Sequence, residues 1–205
     1  MSIIDAHLHY GDDDPLLMAL LAEFDLTLLN ICVVADEQDS DTWSIWREQA
    51  ETYQALAQAY PQHFAWCTSF DLPRFNNQNY IDQVIAGLQG DFQAGAIACK
   101  IWKNIGMDIK KPNGDFLMVD DELFDPIFEY LIANGKPLLT HIAEPLACWQ
   151  PLVEDNPHYG YYSKNPQWHM YGRTDFPSHE RLIAARDHVL EKHPKLRMIG
   201  AHLGS

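Results

Sequence analysis

Two histidines stand at i and i+2 behind a short apolar run in Ile3-Ile4-Asp5-Ala6-His7-Leu8-His9. On a β-strand alternate side chains share a face, so His7 and His9 would point the same way, together with Ile3 and Asp5. Two neutral imidazoles on one side of a rigid strand can hold a metal ion. Ten histidines in 205 residues give about half of one such pair by chance, so the pair counts only if further ligands converge on it.

Three other stretches place polar residues in comparable positions: Lys100 in Cys-Lys-Ile-Trp, His141 in Thr-His-Ile-Ala-Glu and His202 in Gly-Ala-His-Leu-Gly. Each is a polar residue at the C-terminal end of an apolar, strand-like run. The period of two puts Lys100 on a face with Ala96, Ala98 and Trp102, leaving Ile97, Cys99 and Ile101 for burial under helices. It puts His141 with Pro137 and Leu139, and His202 with Met198 and Gly200, leaving Ile199 to the outer layer. A lone histidine in such a place is usually a hydrogen-bonded core residue. Four histidines and a lysine at four strand ends are not explained by packing, because each buried, unpaired polar group costs a few kcal/mol unless a metal or partner satisfies it.

Stepping along the chain shows the elements that must carry these residues. Strands are expected over 3–9, 27–34, 64–70, 96–102, 137–142 and 197–202. Helical spacing falls between them over 16–24, 41–60, 80–92, 121–133 and 178–193, with Asn134-Gly135 and Pro194 as stop signals. In the 41–60 helix Trp43, Trp46, Ala50, Tyr53, Leu56 and Ala57 share one side. Strand–helix alternation implies parallel strands covered by helices. No glycine-rich turn follows the first strand, so a nucleotide-binding sheet gives way to a (β/α) barrel. The connections 103–116 and 143–177 leave the C-terminal ends of strands, where barrel enzymes build their sites. The second carries Trp149, Tyr159, Tyr161, Tyr162, Trp168 and Tyr171, an aromatic load that reads as a packed pocket wall or lid, or else as a structural flap over the barrel end.

Composition narrows the function. The chain has 29 acidic against 14 basic residues, a formal charge of −15. That balance repels phosphate backbones and anionic membranes, so neither nucleic acid nor membrane is an expected partner. Cys32, Cys67, Cys99 and Cys148 are widely spaced and suit buried, reduced thiols in a cytoplasmic protein. No cationic leader or long uninterrupted apolar span is present to read as a signal or membrane segment.

Taken together, Asp5-Ala6-His7-Leu8-His9, Lys100, Thr140-His141-Ile142-Ala143-Glu144 and Gly200-Ala201-His202-Leu203-Gly204 resemble the amidohydrolase superfamily, in its branch of metal-dependent TIM-barrel hydrolases and decarboxylases. The resemblance spans nearly the whole chain in order and spacing. It implies a single α/β domain over residues 1–205, a (β/α)8 TIM barrel with strands one to six present and strands seven and eight missing. It implies His7, His9 and His141 as ligands of a divalent metal, zinc by expectation and one or two ions in number. His202 would be a further ligand or would polarise the substrate. Lys100 occupies the place of a lysine that is carboxylated in binuclear relatives, and unmodified it could instead bind a substrate carboxylate. A divalent metal would lower the pKa of water toward about 7 and polarise a scissile carbonyl, and a carboxylate would move the proton to the leaving group. In the superfamily that carboxylate is an aspartate ending strand eight. This chain stops three residues after His202, so the expectation is an open-edged, inactive and poorly soluble fragment.

The leading expectation is a metal-dependent hydrolase that cleaves an amide, ester or lactone of a small organic acid. Non-oxidative decarboxylation on the same fold, a histidinol-phosphatase-type phosphoesterase and a non-catalytic metal-binding remnant are the alternatives. Glu144 is the nearest candidate carboxylate, facing the site or pairing with Lys103 or Arg173, while Asp5 reads as support for a histidine. Lys103, Arg173, Trp168 and His169 are candidates for holding the substrate. His63, His179, His188 and His193 read as surface or helix-end residues. The expected partner is a small molecule, with a homo-oligomer left open.

Overall fold

The computed structural model describes residues 3–35 and 45–204. Six strands, β1 (Ile3–Leu8), β2 (Leu26–Ile31), β3 (Phe64–Thr68), β4 (Ala98–Ile101), β5 (Leu138–Thr140) and β6 (Met198–Gly200), form one sheet. Their spatial order is their chain order, and every neighbouring pair is parallel. Between them run α1 (Pro15–Glu23), α2 (Ile45–Ala59), α3 (Tyr80–Gln93), α4 (Asn104–Met107), α5 (Asp125–Ala133), α6 (Tyr159–Tyr162) and α7 (His179–Lys192). Laid flat, five strand spacings would hold β1 and β6 about 24 Å apart. Instead the ring of His7 on β1 lies 5.1 Å from that of His202, just past β6. The sheet is therefore curled, six strands of an incomplete (β/α) barrel.

Local chemistry accounts for the elements. Asp14 caps α1, its carboxylate accepting from the amides of Leu16 (2.8 Å) and Leu17 (3.2 Å), and Pro15 opens the first turn. Ser178 caps α7 through the Arg181 amide. Past α5 the chain turns at Gly135, whose φ of +60° suits glycine. There Lys136 N–H donates to Leu131 O and Gly135 N–H to Ile132 O, a Schellman closure. The expected 41–60 helix is described from Ile45 onward; residues 41–44, Trp43 among them, lie outside the described residues.

Two apolar layers result. Outside the sheet, Cys99, Ile101 and Leu138 pack with Val84 and Leu88 of α3, Ile127, Phe128 and Leu131 of α5, and Leu182 and Val189 of α7. Each such fully buried aliphatic or aromatic side chain stabilises the fold by about 1.5–3 kcal/mol. Inside the curl, Leu29, Ile31, Cys67, Ala98, Leu139 and Ala201 form a smaller cluster that floors the barrel. Alanines there let opposing strands approach a narrow interior.

Several face assignments differ from the period-two reading. The β1–β2 register slips between Asp5 and Leu8, because Asp5 pairs with Leu28 and Leu8 with Asn30. Three residues on β1 thus span two on β2, a bulge that reverses the alternation. Leu8 consequently packs outward with Leu28 and Phe64, and His7 and His9 face inward, on the opposite side from Asp5. On β6, Ile199 is in register with Leu139 and so belongs to the inner face, while Met198 packs on the helices. Ile97 precedes β4 and is about half exposed rather than buried. His193 is buried at 7% exposure, with Nε2 2.9 Å from Asp125 Oδ1, and is not a surface residue.

The two long connections are packed. Residues 103–116 contain α4 and a bridge from Lys110 to Phe116, with Ile105, Met107 and Ile109 buried. Residues 143–177 hold a turn of helix at Leu146–Trp149, α6 and another turn at Pro166–Trp168, anchored by buried Cys148, Tyr162 and Met170. Among the described residues no helix is long and apolar enough to cross a membrane. The edges of the sheet are β1 and β6, where Ile3, Ile4 and Ile199 are exposed.

Candidate active site

The C-terminal ends of the strands carry the expected histidines, each at or just beyond the last paired residue. His7 lies in β1 and His9 one residue past it. His141 directly follows β5, its amide donating to Ile101 O at 3.1 Å. His202 is not on β6 as expected. It sits in a tight turn where it and Leu203 have φ of +50° and +63°, a left-handed conformation that costs non-glycine residues about 1–2 kcal/mol each. The turn is held by Gly204 N–H donating to Ala201 O and by Arg186 of α7 donating to Gly204 O. Gly200 makes it possible, since a Cβ there would lie 2.8 Å from Gly204 Cα.

This turn brings His202 between its counterparts. Its ring centroid is 4.4 Å from His141 and 5.1 Å from His7, and His7 is 5.4 Å from His9. Strands that are distant in the sheet thus contribute to one cluster of four imidazoles. His9 Nδ1–H donates to Ile31 O at 2.7 Å, which orients the ring and leaves Nε2 with its lone pair. Asp5 supports the bulge by accepting from the His7 amide at 3.1 Å; it does not hold an imidazole.

Lys100 lies beneath the cluster. It is in register with Leu139 on the inner face and only 1% exposed, and its Nζ has no hydrogen-bond partner among the described residues. Burial pushes its pKa down to about 8, slightly offset by Cys67. Lys100 in turn acts on the imidazoles. Burial first, then Lys100, His9 and His202, bring His7 down to about 4 against an opposing pull from Asp5. Burial, then His202, Lys103, Lys100 and His7, bring His141 down to about 3. His202 is lowered by burial, Lys100 and Lys103. These three rings are therefore neutral at pH 7, the state in which imidazole ligates a metal.

Does this donor set fit a divalent metal? Neutral imidazoles are the right donors for such an ion, whereas the buried Lys100 ammonium calls for an anion beside it. Among the described residues, however, no three His, Cys, Asp or Glu side chains are arranged as they stand to hold an ion. The rings meet one another edge-on or tilted rather than converging on a point.

Beside the histidines lies an ion pair between Lys103 and Glu144, both side chains mostly buried. The Lys103 Nζ is 5.5 Å from the Trp102 ring and 5.8 Å from that of Trp168, within cation–π range of both. Burial lowers the Lys103 pKa, with Asp108 and Cys148 opposing. Cys148 Sγ donates to Trp168 O at 2.8 Å and ties the Trp168 backbone to the start of the long connection. Of the remaining candidates, Arg173 is engaged by Asp175 (2.6 Å), Gln167 O and the Phe176 ring. His169 donates from Nε2 to Gln150 O at 2.9 Å and packs on Tyr162 and Tyr171. In this structure both make these contacts within the 143–177 connection. Trp102 and Asn104 flank Lys103 on either side, and no motif in the sequence marks them as site residues. Asn104 is buried and donates to Val34 O, tying the β4 connection to the end of β2. The only sequence signal was their place directly after a strand bearing Lys100.

No protein-family model matches the sequence, and no curated protein matches it at a significant level. Solved structures do match the fold. One is an amidohydrolase II, at 16% identity and a TM-score of 0.55, with 98% of this chain and 66% of that chain covered. Another is a 2,6-dihydroxybenzoate decarboxylase complexed with 2,6-dihydroxybenzoate, at 14% identity and a TM-score of 0.55, covering 94% and 56%. A third is a dihydroxybenzoic acid decarboxylase from Polaromonas sp. JS666 with bound manganese and the inhibitor 2-nitroresorcinol, at 13% identity and a TM-score of 0.56, covering 100% and 66%. The chain thus spans 56–66% of the length of these structures. At such identities the likeness establishes the shared fold, the α/β barrel of amidohydrolase-type structures.

Proposed function

We propose that this chain carries the metal-binding strands of an amidohydrolase-type enzyme that hydrolyses an amide, ester or lactone of a small organic acid. The observation that carries the reading is the clustering of the His7, His9, His141 and His202 rings, from three separate strand ends, with a buried Lys100 on the same inner face whose Nζ has no hydrogen-bond partner among the described residues. Those four histidines would hold a divalent metal, and Lys100 would either be carboxylated, its carbamate adding an oxygen donor, or remain unmodified and bind a substrate carboxylate. When bound, the metal supplies Lewis acidity that lowers the pKa of water and polarises a carbonyl. The chain's own residues do the rest. The inner-face floor of Ile31, Cys67 and Leu139 excludes water from below, Lys103 and the Trp168 indole roof the mouth, and Glu144 is the carboxylate within reach to move a proton. Zinc and manganese are both compatible with imidazole donors.

Decarboxylation of an aromatic acid is the second reading, favoured by a specific observation. The Glu144 carboxylate, three residues past His141, is already engaged by Lys103, and the cation it pairs with lies near two indoles that suit a planar acid. Product analysis of metal-loaded protein separates the two. Incorporation of ¹⁸O from water into product supports hydrolysis, whereas carbon dioxide release from a hydroxybenzoate without ¹⁸O incorporation supports decarboxylation. Tight metal uptake with neither outcome would return the chain to a metal-binding module.

A further inference from the structure

The Lys103–Glu144 pair has a setting that a structural salt bridge does not need. Both side chains are more than four-fifths buried, at the mouth of a barrel whose reaction centre is a few residues away at His141. The ammonium is shared between two indoles from different parts of the chain, Trp102 at the end of β4 and Trp168 on the long connection. Trp168 is itself 46% exposed, so one wall of this box opens to solvent. The surrounding protein is strongly acidic, at −15, and within it Lys103 is a buried cation that already holds one carboxylate, that of Glu144.

We infer that Lys103, Trp102 and Trp168 form a carboxylate-binding box for a planar, aromatic acid, with Glu144 as an internal stand-in that the incoming carboxylate displaces. The inference rests on the reading of the histidine cluster as the reaction centre, and it names the class of acid that the centre receives. An ion pair exchanged for an ion pair leaves the desolvation of Lys103 nearly unchanged, so the ligand need not overcome that cost again. Stacking on Trp168 then selects a flat ring over an aliphatic acid. Displacement also turns the Glu144 carboxylate loose beside the bound acid, where a proton carrier is needed. In the absence of ligand the same pair keeps the lysine from standing buried without a counter-ion.

Binding of benzoate, benzamide and acetate to the full chain, measured by calorimetry, tests this. Benzoate should bind about tenfold or more tighter than its neutral isostere benzamide. Lys103→Gln should erase that preference and Lys103→Arg should keep it, which guards against a variant that merely misfolds. Glu144→Gln should tighten benzoate by several-fold, because the internal competitor is gone. Trp168→Ala should remove the advantage of benzoate over acetate. Equal affinity for benzoate and benzamide, indifference to Lys103→Gln in a folded variant, or weaker benzoate binding by Glu144→Gln would each overturn the inference. Metal content measured on the same samples keeps the two readings apart. Bound metal with indifference to Lys103→Gln defeats the box alone, and a benzoate preference without any bound metal supports the box while defeating the metal centre.

Discussion

The imidazole of His7 lies 5.1 Å from that of His202, although the strands that bear them are the first and last of a six-stranded sheet. That contact joins fold to chemistry. Only a curled sheet can make it, and once made it leaves His141 4.4 Å from His202 and completes a cluster of neutral nitrogen donors. The turn from Gly200 to Gly204 is what spans the last gap.

Gly200→Ala should therefore weaken the site without touching a ligand. The new methyl would meet Gly204 Cα at 2.8 Å, and the turn must shift, carrying His202 with it. We expect metal affinity to fall about tenfold or more, with a loss of stability of about 1–2 kcal/mol. Metal titration followed by thermal unfolding of the same variant measures both. Unchanged affinity would show that His202 is not held by this turn.

Lys100→Met should stabilise the metal-free protein while destroying its function. The side chain is buried and its ammonium has no hydrogen-bond partner among the described residues, and an apolar side chain of similar length removes that cost, by about 1–3 kcal/mol. Thermal melts of the two metal-free proteins, alongside turnover, test this opposition of stability and activity. A less stable Met variant would mean that Lys100 has a stabilising partner in solution.

Ala98 should not tolerate enlargement. It is 2% exposed on the crowded inner face with Ile31, Cys67 and Leu139, so Ala98→Leu should cost about 1–3 kcal/mol through overpacking. Urea unfolding gives the value, and a neutral result would show that the barrel floor has room for the larger side chain.

Acid should release α5 from the end of α7. Burial raises the Asp125 carboxyl, but hydrogen bonds from Lys192 (2.6 Å) and His193 (2.9 Å) outweigh it and hold its pKa below the ordinary 3.8. A lowered carboxylate pKa means that the unfolded state binds the proton more readily. The stabilisation is therefore complete above about pH 4–5 and disappears as pH falls through the lowered folded value. Asp125→Asn should lose about 1 kcal/mol at pH 7 and less at pH 3. Equal losses at both values would remove the ionic contribution.

Much of this was legible in the chain. The helices between strands announced themselves by 3.6-residue spacing and by Asn134-Gly135, and the strand order followed from alternation. The histidines on one inner face were also visible, but for the wrong reason. The period-two rule grouped His7 with Asp5, and only the extra residue of the β1 bulge separates them. Nothing in the local sequence marks that slip, because it is fixed by the packing of Leu8 against Leu28 and Phe64. His202 was placed on a strand that ends two residues earlier, since backbone strain at His202 and Leu203 is a tertiary product of the Gly200–Gly204 approach. The three fates open to Glu144 could not be sorted from sequence. Arg173 is taken by Asp175, two residues away, and that leaves Glu144 to Lys103. His193 does end α7, as its position implies, but its burial depends on Asp125, 68 positions away, which the local sequence does not reveal.

The central claim is that four histidines from three strand ends form one metal centre. Element analysis of the protein, loaded with zinc or manganese and then desalted, tests it most directly. The account predicts at least one equivalent of metal per chain, lost in His7→Ala and in His141→Ala while both variants remain folded by circular dichroism. Metal content unchanged by either substitution would contradict it.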